Sequence, residues 1–237
     1  DAIFGNSAFV DLIHKIQLDI SDADISFAAP LSFNAEIDSR KVFVNDMFKL
    51  YKYENFLYTI ELSGKEIDDY LEYSYSGWFN TMQNEDDHLL NFVKDENGEL
   101  KYSERYNSPM LEERYYNFDN AEGIDYVVDV SKPDGDKVEI KSLSNGEKFS
   151  EDSTYKAAVN SYRGNGGGGH LIDGAGIHQE KLSSRVINST EKDLRYYMMK
   201  WIESEKTVKP APTANWKIIP QDWWEEAKER DYKLIYD

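Results

Sequence analysis

The 237-residue chain contains no cysteine. This absence excludes disulfide bridges, thiolate metal sites and cysteine nucleophiles, and it leaves the redox compartment open. No stretch reaches the roughly 18 consecutive apolar residues of a membrane-spanning helix, so we predict no membrane span. The chain starts with Asp1 and shows no charged-then-apolar leader. We interpret it as a mature or excised fragment from which any signal peptide has been removed.

Positive charge is scarce as well, since 27 Lys and Arg residues stand against 45 Asp and Glu residues and the net charge is -18. An acidic surface of this kind repels polyanions, so nucleic-acid polymers and anionic membranes are poor partners. A mononucleotide is not excluded, because it needs only one local site. A hydrophobic content of 40% and an aromatic content of 14% indicate a packed globular core.

Histidine occurs only at positions His14, His88, His170 and His178. None of the four belongs to a His-x-x-x-His or Glu-x-x-His helical pair or to an Asp-x-His motif, so we predict no metal site in this chain. His14 is expected on the solvated side of a helix, and His88 is expected to have no role. His170 and His178 flank a glycine-rich stretch, where a ligand contact and a structural role are both open. No Gly-x-Ser-x-Gly elbow and no Gly-Lys-Ser/Thr phosphate loop occurs, and we predict no catalytic residue.

Hydrophobic periodicity predicts helices and strands that alternate along the chain. Apolar residues at helical spacing predict a first helix over 9–20, and Ser63 with Glu66 forms a capping box that opens another helix. Thr190 is predicted to cap the last long helix. The alternation favours a mixed α/β or α+β class in one domain that spans 1–237. The predicted strands are 24–29, 56–62, 124–130, 138–143, 155–161 and 216–220, and the further predicted helices are 45–50 and 223–230.

Residues 83–116 interrupt this alternation. The stretch is rich in acidic residues and turn formers and contains little apolar material. We predict an acidic insertion that lies on the surface, with a short hairpin that turns near Asn97 and Gly98.

A glycine-rich loop follows the predicted strand 155–161. Residues 164–169 include five glycines, and Tyr162 and Arg163 stand directly before them. Because glycine gives up side-chain packing, such a cluster lets the backbone approach another group closely or take positive φ. A flat aromatic ring and a guanidinium at this loop can stack on a ring or meet an anion. A flexible surface loop is the alternative interpretation.

A second aromatic residue, Tyr53, precedes the predicted strand 56–62, and Asn55 follows it closely. Two planar rings can hold a nucleobase between them, and each stacking face contributes about 1–3 kcal/mol. An Asn side chain offers both the donor and the acceptor that a base edge requires. The alternative is that Tyr53 and Tyr162 are ordinary tyrosines at the edge of the core, in a chain that has 17 tyrosines.

In the order of these motifs, the chain resembles the C-terminal, substrate-binding domain of the 5′-nucleotidase superfamily. Tyr53 and Asn55 match the Phe-x-Asn loop of that family. Residues 62–67 match its Leu-Thr-Gly motif, and Tyr162 matches the aromatic residue of its second, glycine-rich loop. The likeness covers residues 5–197, and several spaced motifs in the correct order make it specific.

Within the superfamily, the details are more similar to the 2′,3′-cyclic-nucleotide 2′-phosphodiesterase/3′-nucleotidase branch, in which both base-clamp aromatics are tyrosines. Asn160, Tyr162 and Arg163 match the Asn-x-Tyr-Arg loop of that branch. Residues 117–133 match its stretch from Asn-Phe-Asp to a Ser/Thr-x-Pro. One departure stands out, because the position of the substrate-binding Arg of 5′-nucleotidases is occupied by Asn34.

The resemblance implies an α+β fold with mixed α/β character, in which four layers follow in the order α/β/β/α. It implies that Tyr53 and Tyr162 sandwich the base of a nucleoside or nucleotide while Asn55 contacts the base edge. The implied substrate-binding residues are Tyr53, Asn55, Tyr162, Arg163, Asn34, Gly167 and Gly168.

The resemblance also implies that hydrolysis belongs to a separate N-terminal metallophosphoesterase domain that holds two divalent metal ions outside this chain. We therefore expect this chain to bind no cofactor and to be inactive alone. A periplasmic or exported, surface-anchored location is expected. Two alternatives stay open, namely a stand-alone nucleoside-binding protein and a structural or interaction domain whose pocket has decayed.

Overall fold

A computed structural model describes residues 2–32, 41–105 and 107–236. The predicted site residue Asn34 lies outside the described residues. Helices and strands alternate through these ranges, as the periodicity predicted. The helices are α1 (Ala8–Ser21), α2 (Val44–Leu50), α3 (Gly64–Trp78), α4 (Ser161–Gly164), α5 (Leu182–Arg185), α6 (Leu194–Glu205) and α7 (Gln221–Tyr236). The strands are β1 (Ile25–Ala28), β2 (Leu57–Ser63), β3 (Asn120–Glu122), β4 (Ile124–Asp129), β5 (Val138–Leu143), β6 (Thr154–Asn160), β7 (Val186–Ser189) and β8 (Trp216–Ile219).

Capping residues begin several helices. The predicted capping box of α3 is confirmed, because the Ser63 side chain accepts the backbone N–H of Glu66 and the Glu66 carboxylate accepts the N–H of Ser63. The predicted cap of the last long helix was wrong, since Asp193 caps α6. Thr190 instead accepts the backbone N–H of Leu57 through its hydroxyl at 3.0 Å, which ties the chain before α6 to β2.

The strands form two mixed sheets. One sheet has five strands in the order β3-β1-β6-β2-β7, and the other has three strands in the order β5-β4-β8. Strands β2 and β6 run antiparallel, and their pairing extends from Leu57 opposite Asn160 to Ser63 opposite Thr154. The start of β2 and the end of β6 therefore lie side by side at one end of the sheet.

Two apolar clusters lie on opposite faces of the five-stranded sheet. Helices α1 and α6 cover one face, where side chains such as Val10 and Met198 pack with Ala158 of β6. The other face packs against α3 and the three-stranded sheet, where Tyr75 and Trp216 are buried, and α7 covers β8. The order of helix, sheet, sheet and helix confirms the predicted four-layer class.

The prediction that residues 83–116 form a surface insertion with little apolar content was wrong in part. Its backbone forms isolated antiparallel bridges, and the predicted hairpin turns at residues 95–98. Leu89, Leu90 and Phe92 are buried in the main core. Asp231 of α7 accepts the backbone N–H groups of Leu89 and Leu90, so the last helix holds the insertion on the domain.

Two histidine predictions were also wrong. His88 is not without a role, because its Nδ1 lies 2.5 Å from the carboxylate of Asp231 and binds it. His14 is completely buried rather than solvated, with Ser26 and Asn120 as hydrogen-bond partners. Apolar spacing in α1 marks only one of its two buried stripes. The second stripe is polar and comprises Asp11, His14 and Gln17.

Candidate functional site

The two predicted aromatic loops meet at one end of the β2–β6 pair. Tyr53 lies before the start of β2, and Tyr162 lies directly after the end of β6. Beyond the last paired residues, the backbone N–H of Ser161 donates to the carbonyl of Phe56 at 2.8 Å. The Ser161 hydroxyl accepts the N–H of Phe56 at 3.1 Å. These two hydrogen bonds bring the loops together, although they are more than 100 residues apart in the chain.

Hydrogen bonds within the protein hold the loop at residues 51–55 in place. Tyr51 is buried, and its hydroxyl accepts a hydrogen bond from the amide of Asn55 at 3.3 Å. Burial raises the pKa of Tyr51 to about 12, so its hydroxyl is neutral at ordinary pH. The carbonyl of Asn55 accepts the backbone N–H of Leu194 at 2.7 Å. The side chain and the backbone of Asn55 are therefore both held in place before the start of β2.

Tyr162 is 46% exposed, so part of its ring surface is open to a ligand. One side of its ring is covered by Gly167, where an added Cβ would lie 2.4 Å from a ring carbon. The Arg163 guanidinium carbon lies 5.4 Å from the ring centroid. The close approach predicted for the glycine cluster is thus an approach to the loop's own tyrosine.

Arg163 is 2% exposed and donates all of its N–H groups to protein acceptors. Nε and Nη2 form a two-pronged pair with the carboxylate of Asp119 at 2.8 and 2.9 Å. Nη2 also donates to the carbonyl of Tyr116, and Nη1 donates to Asn117 Oδ1 and to the carbonyl of Gly167. The guanidinium therefore ties the glycine loop to residues 116–119.

The charge state of this buried pair is set by its geometry. Burial alone would raise the pKa of Asp119, but the Arg163 guanidinium, His170 and the Tyr70 hydroxyl lower it to about 2. The Asp119 carboxylate in turn raises the pKa of Arg163, despite the opposing effect of burial. Asp119 and Arg163 are both charged at ordinary pH, and they neutralise each other inside the domain.

Gly168 and His170 complete the loop. Gly168 has a φ of +76°, and an added Cβ would lie 2.1 Å from Nη1 of Arg163, so no other residue fits here. His170 is buried, and its Nδ1 lies 3.0 Å from the carbonyl of Gly168. Burial, together with the nearby Arg163, lowers the pKa of His170 to about 4, so it is neutral. His178 is exposed at the start of a short helical turn.

Residues that the sequence did not single out border the two loops. The ring of Tyr116 packs edge-on against Tyr53, with centroids 6.4 Å apart. Tyr115 packs edge-on against Tyr116 at 5.6 Å. Both belong to the helical turn Tyr115–Asn117, which ends the insertion. A signal was present, since the match to the Asn-Phe-Asp stretch begins at Asn117, but it carried no information on which ring Tyr116 would touch.

An open cavity of about 540 Å³ lies behind the glycine loop, between α3 and the turn His170–Gly174. Its walls carry the carboxylates of Asp69, Glu113 and Asp173. An anionic ligand is therefore disfavoured there. The cavity does not include Tyr53 or Tyr162, so it is separate from the predicted clamp, and the clamp itself stays a prediction.

Residues 2–32, 41–105 and 107–236 contain neither a cluster of metal-binding side chains nor a membrane-spanning helix. In these ranges, no group of three or more His, Cys, Asp or Glu residues could hold a metal ion. No helix in the same ranges is both long enough and apolar enough to cross a membrane.

Comparisons with known proteins show the family of this chain and agree with its fold. A family model described as the 5′-nucleotidase C-terminal domain matches residues 2–173. The chain is 29% identical over 205 residues to the trifunctional nucleotide phosphoesterase protein YfkN of Bacillus subtilis, covering 80% of this chain and 12% of that protein. It is 29% identical over 209 residues to a 2′,3′-cyclic-nucleotide 2′-phosphodiesterase/3′-nucleotidase of Salmonella typhimurium, covering 81% of this chain and 28% of that protein.

A solved structure has the same fold. The 5′-nucleotidase precursor from Thermus thermophilus superimposes with a TM-score of 0.61 at 20% identity, covering 89% of this chain and 35% of that chain. All three of these proteins are much longer than the 237-residue chain, which spans between 12% and 35% of their lengths.

Proposed function

Since the chain belongs to the 5′-nucleotidase C-terminal domain family, we propose that it binds the nucleoside part of a nucleotide for a metal-dependent phosphoesterase. The observation that carries this proposal is the meeting of the Tyr53 and Tyr162 loops at one end of the β2–β6 pair. Each of these rings has protein on one side, from Tyr116 and Gly167 respectively. We propose that a planar base stacks between Tyr53 and Tyr162 on the sides that these contacts leave open.

Each residue has a distinct role in this proposal. Tyr53 and Tyr162 stack on the base, and Asn55 recognises its edge through an amide that Tyr51 orients. Arg163 acts on the substrate through its neighbours rather than by contact, because its N–H groups are engaged within the protein. Gly167 and Gly168 let the loop backbone pack against Tyr162 and Arg163. Asn34, the remaining residue that the resemblance implies, lies outside the described residues.

Hydrolysis is proposed to belong to an N-terminal metallophosphoesterase domain outside residues 1–237. Two divalent metal ions there would polarise the phosphate and activate water. The described residues of this chain contain no metal-binding group of their own, which fits a division of labour between the two domains. The greater length of the relatives leaves room for such a domain.

The substrate proposed is a 3′-nucleotide or a 2′,3′-cyclic nucleotide. Both clamp residues are tyrosines, and Asn160 caps the turn at Arg163 as the Asn-x-Tyr-Arg loop requires. A relative from Salmonella is named for these two activities. We also propose a periplasmic or exported location, which fractionation of cells that express the native protein would test.

Titration of the 237-residue chain with adenosine and 3′-AMP tests the proposal. Two stacking faces of about 1–3 kcal/mol each, less the cost of association, predict weak binding in the high micromolar to millimolar range. Tyr162→Ala removes one face and is expected to weaken binding by that single-face amount. Tyr162→Phe is expected to bind like the wild type, because stacking uses the ring and not the hydroxyl.

Lys141→Ala on β5 serves as the control, and circular dichroism shows that each variant is folded. Unchanged affinity in folded Tyr162→Ala would mean that this ring is structural. Assays with Mn²⁺ or Zn²⁺ are expected to show no hydrolysis by the chain alone. Metal-dependent turnover by the purified chain would contradict the assignment of catalysis to another domain.

A further inference from the structure

Two cations lie on the tyrosines that border the proposed clamp. We call Tyr53, Tyr115 and Tyr116 the tyrosine cluster, because their rings contact one another in sequence. Lys52 and Arg114 each bind this cluster. In a chain with a net charge of -18, a cation without an acidic partner is a local source of positive charge.

Lys52 approaches the cluster through its ammonium group. Its Nζ donates to the hydroxyl of Tyr115 at 2.8 Å. The same atom lies 5.0 Å from the ring centroid of Tyr53 and 5.2 Å from that of Tyr115. The side chain is exposed, so its flexible stem can turn the ammonium toward a ligand that stacks on Tyr53.

Arg114 approaches from the end of the insertion. Its Nη1 donates to the Tyr116 hydroxyl at 2.6 Å, and its guanidinium carbon lies 5.8 Å from the Tyr116 ring centroid. The hydrogen bond to Tyr116 raises the pKa of Arg114. The guanidinium thus lies on Tyr116, whose ring packs against Tyr53 of the proposed clamp.

Neither cation forms an ion pair with a carboxylate in the described part of the chain. Among the described residues, no Asp or Glu oxygen lies within 4.0 Å of Lys52 Nζ or of the Arg114 guanidinium. Glu113 is the adjacent acid, but its Oε2 accepts the backbone N–H of Arg114 at 3.2 Å and the amide of Asn117 at 3.1 Å. Both cations therefore keep donors that can bind an anion.

We propose that Arg114 and Lys52 form a cationic rim that binds the phosphate group of a nucleotide whose base lies between Tyr53 and Tyr162. This inference rests on the proposed function. The phosphate is one ribose away from the base, and the rim borders the ring on which the base stacks. An anionic ligand approaching this acidic domain also requires local positive charge.

One residue of the cationic rim belongs to the insertion at residues 83–116. Arg114 lies at its end, next to the turn that carries Tyr115 and Tyr116. The buried Leu89 and Leu90 hold the first part of the insertion on the core, and the hydrogen bond to Tyr116 holds Arg114 at its end. The insertion thus supplies Arg114 to the rim, while the loop before β2 supplies Lys52 beside the stacking residue Tyr53.

The experiment measures how much a phosphate adds to nucleoside binding. The 237-residue chain is titrated with adenosine and with 3′-AMP, and the ratio of the two dissociation constants gives the phosphate advantage. Arg114→Gln is expected to lower this advantage about two- to fivefold, and Lys52→Gln by a similar or smaller factor, as exposed ion pairs do. The double variant is expected to lose most of the advantage.

Lys148→Gln is the matched control. It removes the same charge from an exposed lysine on the turn after β5, near the end of β2 that is far from Tyr53. Its ratio is expected to equal that of the wild type. Raising the salt from about 10 mM to about 1 M shortens the Debye length from about 30 Å to about 3 Å. The wild-type advantage should then shrink toward that of the double variant.

The two ligands separate the possible failures. If adenosine binds normally and the ratio is the same in wild type, Arg114→Gln and Lys52→Gln, the cationic rim is wrong while the nucleoside site stands. If neither ligand binds the wild-type chain, the proposed function fails and the rim fails with it. A lower ratio in both rim variants, with Lys148→Gln unchanged, supports the rim.

Discussion

Replacing Arg163 with Met tests whether the buried ion pair holds the site together. The variant keeps a long apolar side chain in a position that is 2% exposed. It removes the two-pronged pair with Asp119 and the hydrogen bonds to the carbonyls of Tyr116 and Gly167. The Asp119 carboxylate is then left buried, with the Tyr70 hydroxyl as its remaining side-chain donor.

Removing one partner of a buried ion pair costs about 3–5 kcal/mol, because the other charge stays desolvated without compensation. A domain of ordinary stability unfolds with about 5–15 kcal/mol. Arg163→Met is therefore expected to lose a large share of the free energy of unfolding in urea at pH 7. Arg185→Met is the control, since the Arg185–Glu66 pair is partly exposed and its loss is expected to cost about 1 kcal/mol or less.

A double variant sharpens the assay. Asp119→Asn keeps an acceptor for the Tyr70 hydroxyl but removes the charge that Arg163 neutralises. Arg163→Met combined with Asp119→Asn is expected to be less destabilised than the sum of the single variants. Two results would refute the view that this pair fixes the loop. One is a double variant whose loss in free energy of unfolding equals the sum of the two single losses. The other is an Arg163→Met protein whose free energy of unfolding is within about 1 kcal/mol of the wild type.

Two further predictions concern His14 and Gly167. Burial lowers the pKa of His14 to about 4. Between about pH 6.5 and pH 4, the unfolded chain therefore binds a proton at this residue that the folded domain does not bind. The contribution of His14 to the free energy of unfolding should be fully present above about pH 6.5. It should be lost as the pH falls toward 4, which lowers the free energy of unfolding by up to about 3 kcal/mol. In His14→Gln, the urea midpoint of unfolding should depend less on pH over this range than in the wild type. Midpoints of the two proteins that change in parallel with pH would contradict this reasoning. Gly167→Ala places a methyl group 2.4 Å from the Tyr162 ring and should weaken adenosine binding in titrations by up to about one stacking face. Gly77→Ala in α3, with 3.5 Å to its nearest neighbour, should bind normally, and equal affinity in Gly167→Ala would argue against the clamp.

Much of the fold was predictable because its signals are local. The capping box at Ser63 and Glu66, and the alternation in β2, are each encoded within a few neighbouring residues. The failed predictions concern contacts between distant parts of the chain. His14 is buried because Asn120, 106 residues away, shares a hydrogen bond with its ring. Apolar spacing within α1 cannot report that contact.

The candidate site shows the same division. Tyr53, Asn55 and Tyr162 could be selected from sequence because they stand in recognisable motifs. The placement of Arg163 could not, since its partner Asp119 lies 44 residues away on a different segment. A guanidinium beside a glycine loop is equally consistent with an anion contact and with a structural tie. Burial and hydrogen-bond partners separate these two roles, and both are properties of the folded chain.

The order of strands in the two sheets bears on where this domain can be cut. The family match ends at residue 173, and the proposed clamp tyrosines both precede that point. Strands β7 and β8 come later in the chain, yet they pair with β2 and β4. A polypeptide ended at residue 173 would expose the backbone of β2 and β4 as open sheet edges, and it would also lose the Leu194 and Met198 side chains that cover Ala158. Open edges invite pairing with other chains. We therefore expect a chain that ends at residue 173 to self-associate, because the last quarter of the sequence covers these sheet edges.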